Sequence, residues 1–322
     1  MRRVRYHEYG GPEVLRVEEA DVPGPGPGQL RIRAEAIGAN FVDTKLRSGA
    51  GGIFTWPLPA TLTGDVVGTV DAVGGGVDRT LVGSRVAAMS RDAFADYAVV
   101  DANWALPVPD GLDLGAASML PTAAPVALRV LRSGRLASGE TVLIHAAAGA
   151  IGHVAVQLAR LLGAGTVIAT ASSPAKLDFA KACGADAGVD YTDAGWAEQV
   201  RAAAPDGVDV VLDAIGGQVT SDGIGLLAPF GRLVVYGAAS NEIPTVSARD
   251  LYELKELVGF SMSAWCAARP DDAKAESAEL AGHFASGRLR AAVHATLPLA
   301  EAARAHRMLD DRAQLGRILL VP

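Results

Sequence analysis

Cysteine is nearly absent from this chain of 322 residues: there are two, Cys183 and Cys266, and no CxxC pair. That excludes a disulfide framework and a zinc site built from cysteines. A basic surplus is lacking as well. Lys and Arg number 29 against 36 Asp and Glu, a net charge of −7, which argues against a general nucleic-acid or anionic-membrane surface. Long apolar runs are missing too. The most apolar region, 141–170, is broken by His145, His153, Gln157, Arg160 and several glycines, so no membrane span is expected. The opening MRRVRYHEYGG has basic residues with no apolar stretch behind them, so no secretory leader is expected either. What remains is 50% hydrophobic and 20% charged, the balance of a globular, cytoplasmic protein whose length suggests two domains.

The first hundred residues are rich in strand and turn patterns. VLRVEEA (14–20) and QLRIRAEAIGA (29–39) alternate apolar and polar residues, as half-buried strands do, and PGPGPG (23–28) is a rigid turn between them. After about residue 120 the texture changes. TVLIHA, TVIATA, DVVLDAIG and GRLVVYGA alternate with helical stretches, which implies βαβ units and a parallel sheet covered on both faces. The last fifty residues return to a mixed pattern. We therefore expect an α/β protein: a doubly wound parallel domain over 119–265, inserted in a β-rich domain made of 1–118 and 266–322.

The strongest local signal is TVLIHAAAGAIGHVAVQLARLLGA, a strand, a turn and a helix. The turn Ala147-Ala148-Gly149-Ala150-Ile151-Gly152 is GxGxxG with alanine in the first glycine place. Gly149 lets a pyrophosphate approach the backbone, Gly152 permits tight helix–strand packing, and the helix N-terminus favours negative charge. A dinucleotide is expected there. At the end of the next strand, where NAD-preferring sites carry a carboxylate, the sequence reads ATASSPAKLD, with no acid before Asp178. Ser172, Ser173 and Lys176 suit a 2′-phosphate, so NADPH is expected over NADH. Ser173 followed by Pro174 also reads as a helix N-cap, and the two roles are compatible.

Several segments carry a resemblance: HEYGGPEVLRVEE (7–19), GANFVDTKLRSG (38–49), TGDVVGTVDAVG (63–74), HAAAGAIGHVAVQLARLLGA (145–164), SSPAKLDFAKACGAD (172–186) and LPLAEAARAHRMLDDRAQLGRILLVP (297–322). Together they resemble the medium-chain dehydrogenase/reductase superfamily, in its zinc-independent quinone oxidoreductase (zeta-crystallin-like) branch. The resemblance implies a Rossmann cofactor domain inserted in a GroES-like catalytic domain, and a homodimer. In zinc-dependent relatives a cysteine and a His-Glu pair hold the catalytic metal. Here those places are Asn40, and Gly64 before Asp65, so no metal is expected.

Without a Lewis acid, reducing a simple ketone lacks a stabiliser for the alkoxide, whereas a quinone or enone spreads its charge by conjugation. The expected function is an NADPH-dependent, zinc-free reductase of a quinone or α,β-unsaturated carbonyl compound. The alternatives are an enoyl reductase acting on a thioester or polyketide intermediate, and a non-catalytic NADPH-binding protein. The resemblance places Asn40 and Asp43, the family's Asn-x-x-Asp, beside nicotinamide and substrate, with Asp43 equally suited to holding its loop. Arg47 either faces substrate or pairs with a surface acid. Thr122, Tyr191, Gly237 and Ala238 match cofactor-side positions, and Asp213 is a turn-stabiliser or a ligand contact. Lys45 stands where many relatives have tyrosine, and acts as an acid, binds an anionic group or is exposed. Val126 replaces a threonine that commonly approaches the nicotinamide. Phe54 and Trp56 line an apolar substrate pocket or pack in the core.

Overall fold

The computed structural model describes residues 1–50 and 55–322. Along the chain, β1 (Arg2–Arg5) and β2 (Arg16–Glu19) pair antiparallel as a short ribbon. They are followed by β3 (Gln29–Gly38), α1 (Phe41–Ser48), β4 (Gly64–Val73), β5 (Arg85–Ser90), β6 (Tyr97–Asp101), β7 (Leu106–Pro107) and α2 (Leu114–Met119). The alternating region contains α3 (Ala123–Ser133), β8 (Thr141–Ile144), α4 (Ala150–Leu161), β9 (Thr166–Ala171), α5 (Pro174–Ala182) and β10 (Ala187–Asp190). It continues through α6 (Trp196–Ala203), β11 (Val208–Asp213), α7 (Gln218–Leu226), β12 (Leu227–Val235), β13 (Glu256–Gly259) and α8 (Met262–Ala268). The chain ends with α9 (Pro270–Ala285), β14 (Val293–Pro298), α10 (Ala302–Asp310) and β15 (Arg317–Val321).

Two compact units result, Met1–Thr122 with Lys274–Pro322, and Ala123–Ala273. Both boundaries fall a few residues later than those expected from the sequence. The Thr122 hydroxyl donates to Asp65 of β4 at 2.6 Å, tying the chain after α2 to the first unit. Trp265 lies under the Arg129 guanidinium of α3, 4.3 Å from the ring centroid, tying α8 to the second.

The first unit is built on a seven-stranded, largely antiparallel sheet in the order β14-β15-β3-β4-β5-β7, with β6 also paired to β3. On β3 the expected alternation is present over its first seven residues: Leu30, Ile32 and Ala34 point into the core, while Gln29, Arg31, Arg33 and Glu35 are more exposed. Each large aliphatic chain so buried contributes about 1.5–3 kcal/mol. The second unit is a six-stranded parallel sheet in the order β10-β9-β8-β11-β12-β13. In β8, Val142, Leu143 and Ile144 are all fully buried, without alternation. A parallel sheet covered by helices on both faces requires such continuous apolar strands. The strand order reverses between β8 and β11, and ligands bind such sheets at the carboxyl ends of the strands beside that switch.

Candidate functional site

In the second unit the chain leaves β8 at Ile144 and enters α4 at Ala150. The turn is stitched to both neighbouring strands: the His145 amide donates to Leu212 O at 3.1 Å, and the Ala147 amide donates to Thr170 O at 3.0 Å. Gly149 is the N-cap with extended backbone and no side chain. A Cβ there would meet only the Ala146 carbonyl oxygen, at 3.4 Å, so the space beside it is open. The amides of Ala150, Ile151 and Gly152 open the helix and have no carbonyl four residues back within it. An open cap, unpaired first-turn amides and a helix dipole suit a pyrophosphate. Gly152 meets the opposite condition. A Cβ on it would overlap the Ala146 carbonyl and stand 2.7 Å from the Ala147 Cα. Ala148 is buried.

Two features of this turn escape sequence reasoning. The residue with left-handed backbone is Ala146, φ 52°, one place before the position matched to the first glycine. Alanine there costs roughly 1 kcal/mol relative to an ordinary conformation. His153 is buried and donates from Nδ1 to the Gly149 carbonyl at 2.9 Å, bracing the cap from the next helical turn. His145 is also fully buried, its Nδ1 within 2.8 Å of the Thr170 hydroxyl and its ring edge-on to Trp196. Burial lowers its pKa and keeps the imidazole neutral.

At the end of β9 the structure brings Lys176 and Ser172 together, with Nζ donating to Oγ at 3.1 Å. Ser173 occupies the N-cap of α5, ahead of Pro174, but its side chain makes no capping bond. The capping expectation is thus met by the backbone and not by the hydroxyl. Tyr191 follows β10, donates its amide to Ala171 O at 3.1 Å and packs against the core of this unit. Gly237 and Ala238 lie just beyond β12, where a Cβ on Gly237 would stand 2.8 Å from the Ala214 carbonyl. Asp213 is fully buried and accepts from the amides of Ile215 (2.7 Å) and Gly216 (3.1 Å) and from the Thr220 hydroxyl. That accounts for it as a turn-stabiliser.

In the first unit, Asn40 is the N-cap residue of α1 and is half-buried. Its Oδ1 accepts from Arg317 Nη1 at 2.8 Å, and its Nδ2 makes a long contact of 3.4 Å with Asp65 Oδ2. Arg317 and Asp65 form an ion pair with side chains 1% and 0% exposed. Ions so deeply placed lose several kcal/mol of hydration each, and good geometry with further hydrogen bonds must offset it. Here Thr122 supplies one to Asp65, and Arg317 Nη2 donates another to Ser118 O at 3.4 Å. The hydroxyl of Thr122, expected beside the cofactor, is therefore already engaged by Asp65. Arg317 was not singled out by sequence reasoning; an arginine opening the apolar strand RILLV was the available signal.

Asp43 is fully buried and accepts from the amide of Thr63 at 2.7 Å and its hydroxyl at 2.8 Å. This is the loop-holding role. Burial, reinforced by the nearby Asp65 charge, pushes its carboxyl from 3.8 up to about 7, against the opposing pull of Thr63 and Arg317. Arg47 pairs with a surface acid, as one of its two expected roles has it, although its own side chain is buried. It is buried and donates to Gly10 O (3.1 Å) and Asp310 (2.8 Å), with His306 Nδ1 at 3.3 Å, so the fold accounts for its guanidinium without a substrate. Lys45 is half-buried, its ammonium 5.0 Å from the centre of the Phe41 ring. Burial and the Arg312 charge lower its pKa. Trp56 packs against the core of the first unit, and its carbonyl accepts from the Tyr9 hydroxyl. Phe54 lies outside the described residues. Val126 is buried in α3.

The chain matches two family models: an alcohol dehydrogenase GroES-like domain over residues 26–110 and a zinc-binding dehydrogenase over residues 150–280. A quinone oxidoreductase of Pseudomonas aeruginosa is 35% identical over 100% of this chain and 99% of its own length. A 2-haloacrylate reductase of a Burkholderia species is 34% identical, covering 98% of this chain and 97% of its own. A solved mycobacterial structure complexed with NADPH superposes with a TM-score of 0.93 at 34% identity over 100% of both chains. The chain belongs to the medium-chain dehydrogenase/reductase superfamily, in its quinone oxidoreductase branch. The zinc implied by one model's description does not fit the residues present. Asn40 and Gly64 supply neither thiolate nor imidazole, and the Asp65 carboxylate is held by Arg317 and Thr122. Among the described residues, no three His, Cys, Asp or Glu side chains gather as a metal site.

Proposed function

We propose that this chain is an NADPH-dependent reductase acting on a quinone or an α,β-unsaturated carbonyl compound. The observation that carries the reading is the open glycine cap at Gly149 together with the Lys176–Ser172 hydrogen bond at the end of the adjacent parallel strand. The first offers amides to a pyrophosphate; the second offers an ammonium and hydroxyls to a 2′-phosphate. The solved relative complexed with NADPH supports the same cofactor. NADPH, when bound, supplies a hydride. The residues of this chain hold it, with Gly149, Ala150, Ile151 and Gly152 at the pyrophosphate, Ser172, Ser173 and Lys176 at the 2′-phosphate, and Tyr191 against the adenosine side. Ala148, Gly237 and Ala238 border the same site.

On the substrate side, Asn40 offers an amide N–H to the carbonyl oxygen whose negative charge grows during reduction. One neutral donor suits a conjugated acceptor, in which that charge is already spread. The names of the two curated relatives, a quinone reductase and a haloacrylate reductase, fall on the two sides of this class. The test is NADPH and NADH oxidation by the purified protein against quinones, enones and enoyl thioesters. Turnover of quinones or enones, faster with NADPH, supports the reading. Turnover of enoyl thioesters alone reassigns the substrate, and failure to bind NADPH overturns the reading altogether.

We also propose a cytoplasmic homodimer. No described helix is long and apolar enough to cross a membrane, and the chain has only two cysteines and no CxxC pair, as suits a reducing compartment. Strand β13 ends the parallel sheet with one unpaired edge, near which Phe230, Tyr252, Leu254 and Leu257 are exposed. Light scattering at twice the monomer mass is the expected result, and a monomer at micromolar concentration refutes the dimer.

A further inference from the structure

We infer that Arg317 and Asp65 are positioning residues that lock the carboxamide of Asn40 in one of its two flipped orientations, so that its free N–H, and not its oxygen, is available to a substrate. The inference rests on the proposal that Asn40 serves the substrate. A carboxamide has two faces of opposite polarity, and rotation by half a turn exchanges them. Arg317 Nη1 lies 2.8 Å from Oδ1, and a guanidinium only donates. Asp65 Oδ2 faces Nδ2 at 3.4 Å, and a carboxylate only accepts. Flipping the amide sets donor against donor and acceptor against acceptor at once. The two partners select the same orientation, and the second N–H of Nδ2 has no hydrogen-bond partner among the described residues.

The rest of the cluster keeps the guanidinium in place. Arg317 opens β15, which pairs with the end of β3 through Leu319 opposite Gly38. A Cβ at Gly38 would overlap the guanidinium, so the bare backbone of Gly38 makes its seat. Nη2 reaches Asp65 and the Ser118 carbonyl, while Thr122 engages the other Asp65 oxygen. The planar fork bridges Asp65 and Asn40 through two different nitrogens, which a lysine ammonium on its flexible stem does not reproduce.

The test is a double-mutant cycle in steady-state reduction of the best acceptor with NADPH. Asn40→Ala measures the amide itself. The paired variant Arg317→Gln with Asp65→Asn removes both charges together, so that neither is left buried alone. We expect each to lower kcat at least tenfold while KM for NADPH changes less than about twofold, since an effect confined to the transition state appears in kcat. Combined, the three substitutions lower kcat no further than Asn40→Ala alone. A further loss in the combined variant overturns the positioning role but leaves the role of Asn40 standing. An unchanged kcat for Asn40→Ala overturns both. If the paired variant does not fold, Arg317→Lys and Gly38→Ala keep the charges and disturb only the fork and its seat. Each is expected to show the same kcat-specific loss, absent in the Asn40→Ala background, and a loss of equal size in both backgrounds refutes the inference.

Discussion

Lys176→Ala gives the most direct measure of cofactor discrimination. Lys176 sits in the first turn of α5, half-buried, with Nζ 3.1 Å from Ser172 Oγ. A hydrogen bond to a charged group contributes about 1.5–3 kcal/mol, and about 1.4 kcal/mol is a factor of ten in affinity. Loss of a lysine–phosphate contact therefore raises the KM for NADPH about 10- to 100-fold, nearer the lower figure because the ammonium is partly solvated. NADH has no 2′-phosphate, so its KM should change less than about twofold. Alanine is at least as good a helix former as lysine, so α5 should be no less stable. Ser172→Ala should raise the KM for NADPH by less than about tenfold, as loss of a neutral hydroxyl does. The assay is initial-rate kinetics with each nucleotide at saturating acceptor. An equal rise for both nucleotides, or none for NADPH, refutes the assignment of this pair to the 2′-phosphate.

Other substitutions probe the turn and the buried acid. Gly152→Ala forces a methyl into the Ala146 carbonyl and should destabilise the fold by about 1–3 kcal/mol, read as a fall in Tm, with loss of NADPH binding. Ala146→Gly, in the same turn, relieves a left-handed φ of 52°, roughly cancelling the entropy cost of glycine, and should leave Tm within a few degrees of the wild type. Asp43 has its folded carboxyl raised from 3.8 to about 7, so the folded state holds a proton that the unfolded chain has already lost. Stability is therefore lost as pH rises through that window. Asp43→Asn keeps an acceptor for the Thr63 amide and removes this slope, so its Tm should gain on the wild type between pH 5 and pH 8; parallel Tm profiles refute the shift.

Much of the fold was legible because it rests on local periodicity. The apolar run of β8 and the alternation of β3 are direct consequences of burial on two faces or one, and each is visible in a few residues. The glycine turn was legible for the same reason, since Gly152 admits no side chain whatever the rest of the chain does. The unit boundaries were harder. Near them lie contacts of single side chains, Thr122 reaching Asp65 and Trp265 under Arg129, which no periodicity records. The left-handed Ala146 was hidden because glycine, the residue that marks such a conformation, is not used there.

The polar cluster around Asn40 was the least legible part, because its members are separated by most of the chain. Asn40 is read from its motif, but Arg317 lies 277 residues away. It meets Asn40 only because β15 returns to pair with β3. At the positions that the resemblance matches to the cysteine and His-Glu pair of metal-dependent relatives, this chain has Asn40 and Gly64-Asp65, and its cation is a guanidinium paired with Asp65. A guanidinium so deeply buried is too enclosed to touch a substrate, and its charge is largely offset by Asp65. Its influence outward must therefore pass through Asn40, whose oxygen it holds. A cation acting through one oriented amide can stabilise only a modest, delocalised negative charge, which is the demand made by a conjugated acceptor and not by a simple alkoxide.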